Sequence, residues 1–238
     1  MNTTPWIQSV IELNREAMLY RKHGDALRRQ DKGDEAAKEY RLGVEVLDKV
    51  LDRLLREPSW LNLEKFSSEA LPEQLVIAKE LVEAWGARGG LLRRIGESRA
   101  ALDSYQNGAE LESQFVPSST YNRVNVVKYA LLAGLKSMTD IEPDIRSLEK
   151  LLTLQLAKNP ELSDSGWAWA DLGDCRALLG DLAGAERAYR TFVEKARSNA
   201  PNSTLEILRE IVSKLDETRD SRTDVVRESL NALQRRLT

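Results

Sequence analysis

The stretch WADLGDCRALLGDLAGAERAY, residues 169–189, decides how the rest of the chain is read. Its apolar and small residues recur at steps of three and four, the period of a helix, and a glycine in its middle marks a turn. The spacing returns without a gap in WGARGGLLRRIGESRAALDSY, residues 85–105. Trp85, Gly89, Gly96, Ala101 and Tyr105 stand 84 positions before Trp169, Gly173, Gly180, Ala185 and Tyr189. A further copy lies 65 positions upstream, where Tyr20, Gly24, Leu27, Ala36, Tyr40 and Gly43 match Trp85, Gly89, Leu92, Ala101, Tyr105 and Gly108. Three copies of one pattern mean a repeated helix–turn–helix unit that buries its apolar face against its neighbours.

The pattern places a small residue four positions after an aromatic, then Ala twelve later and a second aromatic four beyond that, as in Trp169, Gly173, Ala185 and Tyr189. It resembles the tetratricopeptide repeat. The resemblance covers about 17–48, 82–113 and 166–197 and implies an all-α fold, an antiparallel helix-hairpin array of the α-solenoid kind. Small residues then let the two helices of a hairpin approach, while aromatics fill the space between one hairpin and the next. Gly96 and Gly180 release the turns. A step of 44 from the second copy puts Tyr129 and Ala133 where Trp85 and Gly89 stand, which predicts a degenerate hairpin whose second helix, with Ile145 and Glu149 at the Ala and Tyr places, does not follow the pattern. The proline that closes the family repeat is missing, and the spacing exceeds the family's usual length. The stretch GGLLRRIGESRAALDSYQNGAELE, residues 89–112, followed by SSTYNRVN, is also similar to bacterial repeat proteins of conflict and signalling operons.

Working outward, helical periodicity is nearly continuous and no strand is expected. Thr4 and Pro5 start a first helix that runs to about residue 30. Tyr40, Val44, Leu47, Leu51 and Leu54 form the apolar stripe of a second, which Pro58 stops. A looser stretch with Trp60, Leu61, Leu63 and Phe66 follows. Pro72 restarts helix, Pro117 breaks it, and Pro143 and Pro201 are placed at boundaries. Ser203 and Glu206 make a capping-box pattern. The expected organisation is a single array with hairpins at about 5–57, 72–114, 120–158 and 165–198, and C-terminal helices over 203–237. The last of these carries Val225, Val226, Leu230, Leu233 and Leu237 on one side and Arg227, Glu228, Arg235 and Arg236 on the other, the pattern of a capping helix. Docking onto a partner is the other reading of that face.

Charge narrows the function. The 35 basic and 38 acidic residues leave a net charge of −3, spread without long blocks of one sign. That disfavours a nucleic-acid partner. No run of about 18 apolar residues exists to span a membrane, and the N-terminus lacks the basic start of a signal peptide. The single cysteine, Cys175, excludes an internal disulfide and fits a reducing, cytoplasmic setting. Catalysis finds little to stand on. His23 is the only histidine, no phosphate-binding loop is present, and Gly86, Gly89 and Gly90 fall at helix-packing positions. Cys175 reads as a packing thiol. No cofactor, no metal site and no enzyme activity are expected.

The family's inner groove is lined by the second, fifth, ninth and twelfth positions of each hairpin's first helix. Carried over, the resemblance implies Met18, Arg21, Asp25 and Arg28 from the first hairpin and Glu83, Gly86, Gly90 and Arg93 from the second. The weaker third gives Val127, Ala130, Gly134 and Ser137, and the fourth Trp167, Ala170, Asp174 and Ala177. Arg21, Arg28 and Arg93 form a basic stripe, with Asp25 and Asp174 beside the groove and Trp167 as an aromatic anchor; arginine and tryptophan dominate interface energetics. Such a stripe suits another protein or peptide with an acidic segment. Solvated helix charges are the competing reading. The asparagine-and-lysine clamp of chaperone-binding members is not reproduced. The expected function is therefore a cytoplasmic, non-catalytic adaptor or scaffold, the alternative being a ligand- or partner-responsive regulatory subunit of a bacterial defence or signalling system.

Overall fold

The computed structural model describes residues 5–56, 72–116, 119–158, 166–195 and 200–237. Among them it contains ten α-helices and no strand: α1 (Pro5–Arg28), α2 (Gly33–Leu55), α3 (Pro72–Arg94), α4 (Ser98–Phe115), α5 (Tyr121–Leu132), α6 (Met138–Lys158), α7 (Trp167–Leu178), α8 (Leu182–Lys195), α9 (Ala200–Thr218) and α10 (Thr223–Arg235). The stretch around Trp60, Leu61, Leu63 and Phe66, like Thr4, Pro58 and Pro117, lies outside the described residues. The chain divides into two compact units, residues 1–122 and 123–238.

Five helix-to-helix turns use one device. A single residue takes the left-handed conformation: Asp31 (φ 59°), Gly96 (83°), Gly134 (67°), Gly180 (83°) and Arg219 (54°). The next N–H then reaches back five residues, from Lys32 to Leu27, Glu97 to Leu92, Leu135 to Ala130, Asp181 to Arg176 and Asp220 to Leu215, at 2.9–3.1 Å. This is the Schellman closure, which satisfies a carbonyl that the helix end would leave open. Glycine adopts the conformation freely, whereas a side chain there costs on the order of 1 kcal/mol. Arg219 is exposed, so Arg219→Gly is expected to raise stability by up to about 1 kcal/mol, less what the glycine adds to unfolded-chain entropy. Urea denaturation checks it.

The left-handed residue also fixes the register of the hairpins. Gly24, Gly89 and Gly173 each stand seven positions before one. Gly134 lies 38 positions after Gly96, not 44, so the register of the α5–α6 hairpin differs from the sequence expectation. Val127, not Ala133, takes the small-residue place. Ala133 is exposed beyond the end of α5. α6 begins at Met138, capped by Ser137, whose hydroxyl and backbone N–H both bond Asp140 at 2.6 and 2.8 Å. Pro143 consequently sits inside α6 rather than at its start. So early in the helix, its missing N–H leaves just the Thr139 carbonyl without an intrahelical donor. α9 likewise begins at Ala200, placing Ser203 inside the helix rather than at its cap.

In the first unit, Ile7 and Val10 of α1, Val46, Leu47, Val50, Leu51 and Leu54 of α2, and Ile77, Ala78 and Leu81 of α3 share one core. That explains the length of α1 to α3, 23–24 residues each against 12 and 14 for α7 and α8. Their extra turns are buried against one another. The second unit has its own core, from Val124 and Val127 of α5 through Ile145, Leu148 and Leu152 of α6 to Val226, Leu230 and Leu233 of α10. α10 lays its apolar side on this core and exposes Asp224, Glu228, Arg235 and Arg236, as a capping helix should. Leu237 lies past its end and is exposed.

Each matched hairpin is held by a ring over a glycine. A methyl group on Gly89 would lie 2.7 Å from Tyr105 Cε1, one on Gly173 2.5 Å from Tyr189 Cε1, and one on Gly24 would strike the Tyr40 ring in the same way. Tyr40, Tyr105 and Tyr189 therefore pack first within their own hairpins, where the resemblance implied aromatics between hairpins. Contact with the following hairpin falls to other glycines, three positions after the tyrosines. Gly43 admits Leu91 of α3 and Gly108 admits Asn122 of α5, where a methyl would lie 2.8 and 2.6 Å away. Phe192 holds the corresponding place in α8; it is fully buried, its ring 5.8 Å from that of Trp167.

Candidate binding site

The residue after the small position is Asp25 in the first hairpin, Gly90 in the second, Lys128 in the third and Asp174 in the fourth. Three of the four are charged, and each of those three belongs to a local charge cluster.

In the second unit the position is closed. Lys128, 4% exposed, pairs with Asp174 and lies 3.5 Å from Asp171 Oδ1. Tyr189 donates its hydroxyl to Asp174 at 2.6 Å. Burial alone would lower the Lys128 ammonium, but Asp174 and then Asp171 outweigh it and hold it above its ordinary range. Burial, then Asp174, raises Tyr189 well above the usual phenol value. The Cys175 thiol beside them is pushed up by burial, which makes it an inert packing group. Asp174, expected on an open groove, is 2% exposed and committed to Lys128 and Tyr189. The structure therefore corrects that expectation: this carboxylate has no surface to offer a partner. Trp167 is half-buried against the Phe192 ring, part of the hairpin's own packing.

In the first unit the same position stays open. Asp25 Oδ1 accepts from the Tyr40 hydroxyl at 2.8 Å and from Arg94 Nε at 2.9 Å, tying the α1–α2 hairpin to α3. Burial and then the bond to Asp25 push Tyr40 up to about 12. The Arg94 guanidinium, 9% exposed, also lies 6.0 Å over the Tyr40 ring and donates to the Gly90 carbonyl at 2.9 Å. Arg21 reaches the other Asp25 oxygen at 3.8 Å, with 28% of its side chain exposed. Its pKa is lowered by burial first and by Arg94 second. Tyr121, at the start of α5 and 37% exposed, acts electrostatically on Arg21. Gly86 makes room for this ring, since a methyl there would lie 3.0 Å from Cδ1, and Gly90 faces the Tyr121 hydroxyl. Tyr105 meets the ring edge-on at 6.1 Å.

Arg28 is exposed and Arg93 half-buried, and each has interactions of its own. Of the expected groove residues, the structure brings together Arg21 and Asp25, with Arg28 acting electrostatically on the same Tyr40. Sequence reasoning missed Arg94, Tyr121 and Lys128. The adjacent pair Arg93–Arg94 pointed to the right turn of α3, and Lys128 becomes visible once Gly134 sets the register. His23 is exposed and 3.0 Å from Glu39. Among the described residues no cluster of His, Cys, Asp and Glu has the makings of a metal site, and no helix is long and apolar enough to cross a membrane.

Solved structures similar to this chain include the TPR-like repeats of a Podosopora anserina kinesin light chain protein, at 13% identity over 93% of this chain and 96% of that one, TM-score 0.38. The MamA protein is similar at 16% identity over 92% of each chain, TM-score 0.31. No protein-family model and no curated protein matches the sequence.

Proposed function

We propose that the protein is a non-catalytic adaptor, and that the first unit holds an acidic segment of another protein on the face formed by α1, α3 and the start of α5. One observation carries this reading: Arg21 is half-buried within the electrostatic reach of Tyr121, yet its ion pair among the described residues is a 3.8 Å contact. A partly exposed guanidinium fork with donors to spare is the chemistry that anchors protein interfaces. The helices around it are fixed by packing, so binding orders little of the adaptor itself.

Affinity capture of the tagged chain from its own cells, with nuclease, tests the reading by comparing wild type with Arg21→Ala. The expected result is a nuclease-resistant partner whose recovery falls roughly tenfold or more in the variant, as loss of a charge-assisted contact at a central position implies. Equal recovery would remove this face from the interaction.

A further inference from the structure

We infer that Asp25 is a built-in competitor at the Arg21 site, and that the group it competes with is a single carboxylate of the bound peptide. The inference rests on the adaptor reading for its ligand but on separate observations for its mechanism.

The chain contains the same arrangement twice. In each copy a glycine admits a tyrosine ring, the next residue is aspartate, and that tyrosine donates its hydroxyl to it: Gly24, Asp25 and Tyr40 in the first hairpin, Gly173, Asp174 and Tyr189 in the fourth. In each, a cation from a neighbouring hairpin's first helix completes it, Arg94 from α3 and Lys128 from α5. The fourth-hairpin copy is sealed, its ammonium shared by two carboxylates and almost wholly buried. The first-hairpin copy has one carboxylate where the fourth has two, and two cations where the fourth has one. Arg21 and Arg94 are two cations in contact with the single carboxylate of Asp25.

Arg94 is satisfied by Asp25 and the Gly90 carbonyl. Arg21 is the cation in excess. Its contact with Asp25 is long at 3.8 Å, and burial and Arg94 both work against its charged form. An anion seated on Arg21 relieves that opposition. A carboxylate suits this site because its two oxygens are spaced for the guanidinium fork. A phosphate dianion would meet the negative charge of Asp25 at close range with twice the charge of a carboxylate. The arriving carboxylate meets Asp25 too, so Asp25 sets a ceiling on affinity while latching α1 and α2 to α3. Asp25→Asn retains an oxygen acceptor for Tyr40 and Arg94 and removes only the competing charge.

The test uses the full chain and two labelled probes, a hexaglutamate peptide and its hexaglutamine counterpart, followed by fluorescence anisotropy at low salt. Wild type is expected to bind hexaglutamate and not hexaglutamine. Arg21→Gln should weaken hexaglutamate at least tenfold or so, Arg21→Lys by less, and Asp25→Asn should tighten it by roughly three- to tenfold. Arg99→Gln, at an exposed arginine paired to Asp103 in α4, should change nothing. Inorganic phosphate at matched ionic strength should displace the peptide no better than chloride. Circular dichroism and thermal melts confirm that each variant is folded.

Should Asp25→Asn destabilise the fold, Asp25→Ser serves in its place, with the same expected direction. Weakened or unchanged binding in the folded Asp25 variant, binding indifferent to Arg21, or no preference for glutamate each overturns the inference. The adaptor reading fails separately, when a cellular partner is recovered equally well with Arg21→Ala even though the peptide results come out as expected.

Discussion

Replacing Lys128 with methionine is expected to remove about 3–5 kcal/mol of stability, the loss typical of breaking a buried ion pair from one side. The ammonium is the common partner of Asp174 and Asp171, and its removal strips both carboxylates of a counter-charge at a place water does not reach. Combining Lys128→Met with Asp174→Asn should recover part of the loss, because less charge is then left buried. Urea denaturation of the single and double variants measures both effects. A loss under about 1 kcal/mol in the single variant would mean that the cluster relaxes towards solvent.

The same cluster predicts how stability depends on pH. Cys175, Tyr189 and Tyr40 have folded-state values above their ordinary 9.0, 10.0 and 10.0, and Lys128 lies above 10.5. Every one of these groups holds its proton more tightly when folded, so each contributes fully below its ordinary value and less as pH climbs. The denaturation midpoint should be unaffected by these groups up to about pH 8, begin to fall near pH 9 with Cys175, and fall more steeply between about pH 10 and 12. In Lys128→Met the lysine's share of that fall should disappear.

Gly173→Ala should destabilise the protein by about 1–3 kcal/mol, the cost of overpacking a filled interior. The sign is the informative part, since alanine in place of glycine inside an exposed helix normally gains up to about 1 kcal/mol. Here the new methyl would lie 2.5 Å from Cε1 and 2.7 Å from Cδ1 of Tyr189. That ring cannot swing aside, because it is fully buried and its hydroxyl is bonded to Asp174. Gly33→Ala provides the control. Nothing stands within 4 Å of a methyl at that position, so a gain of about 0.5–1 kcal/mol is expected there. A gain at Gly173 as well would mean that the hairpin can widen without loss.

These two sites show what sequence makes legible and what it does not. Glycine and tyrosine sixteen positions apart betray a hairpin because only the smallest residue lets a ring lie across a helix backbone. Three such pairs establish the all-helical repeat before any coordinates are known. The third hairpin was legible but its register escaped, because Val127 and Pro143 occupy the glycine and tyrosine places, leaving only the turn residue Gly134 to give it. The site was legible in part for a related reason. Repeat position singles out both Asp25 and Asp174, but whether such a carboxylate faces water depends on what the neighbouring helix brings to it. Lys128 buries one, and Arg94 together with Arg21 leaves the other within reach. Choosing Arg93 over Arg94 came from carrying over a groove position one residue away from the side chain that turns inward.

Phe192 has a consequence for how such a protein can grow. Gly43 and Gly108 are sockets, shallow notches in which the next hairpin's first helix seats, and α8 would carry the next socket at residue 192. A phenylalanine there fills the notch with the chain's own ring, packed on Trp167. A duplicated hairpin spliced in after α8 would find no seat, whereas one spliced in after α2 would find Gly43 already waiting. Modular extension of this sequence, by evolution or in the laboratory, is thereby permitted at one joint and terminated at another by the exchange of a single hydrogen for a benzyl group.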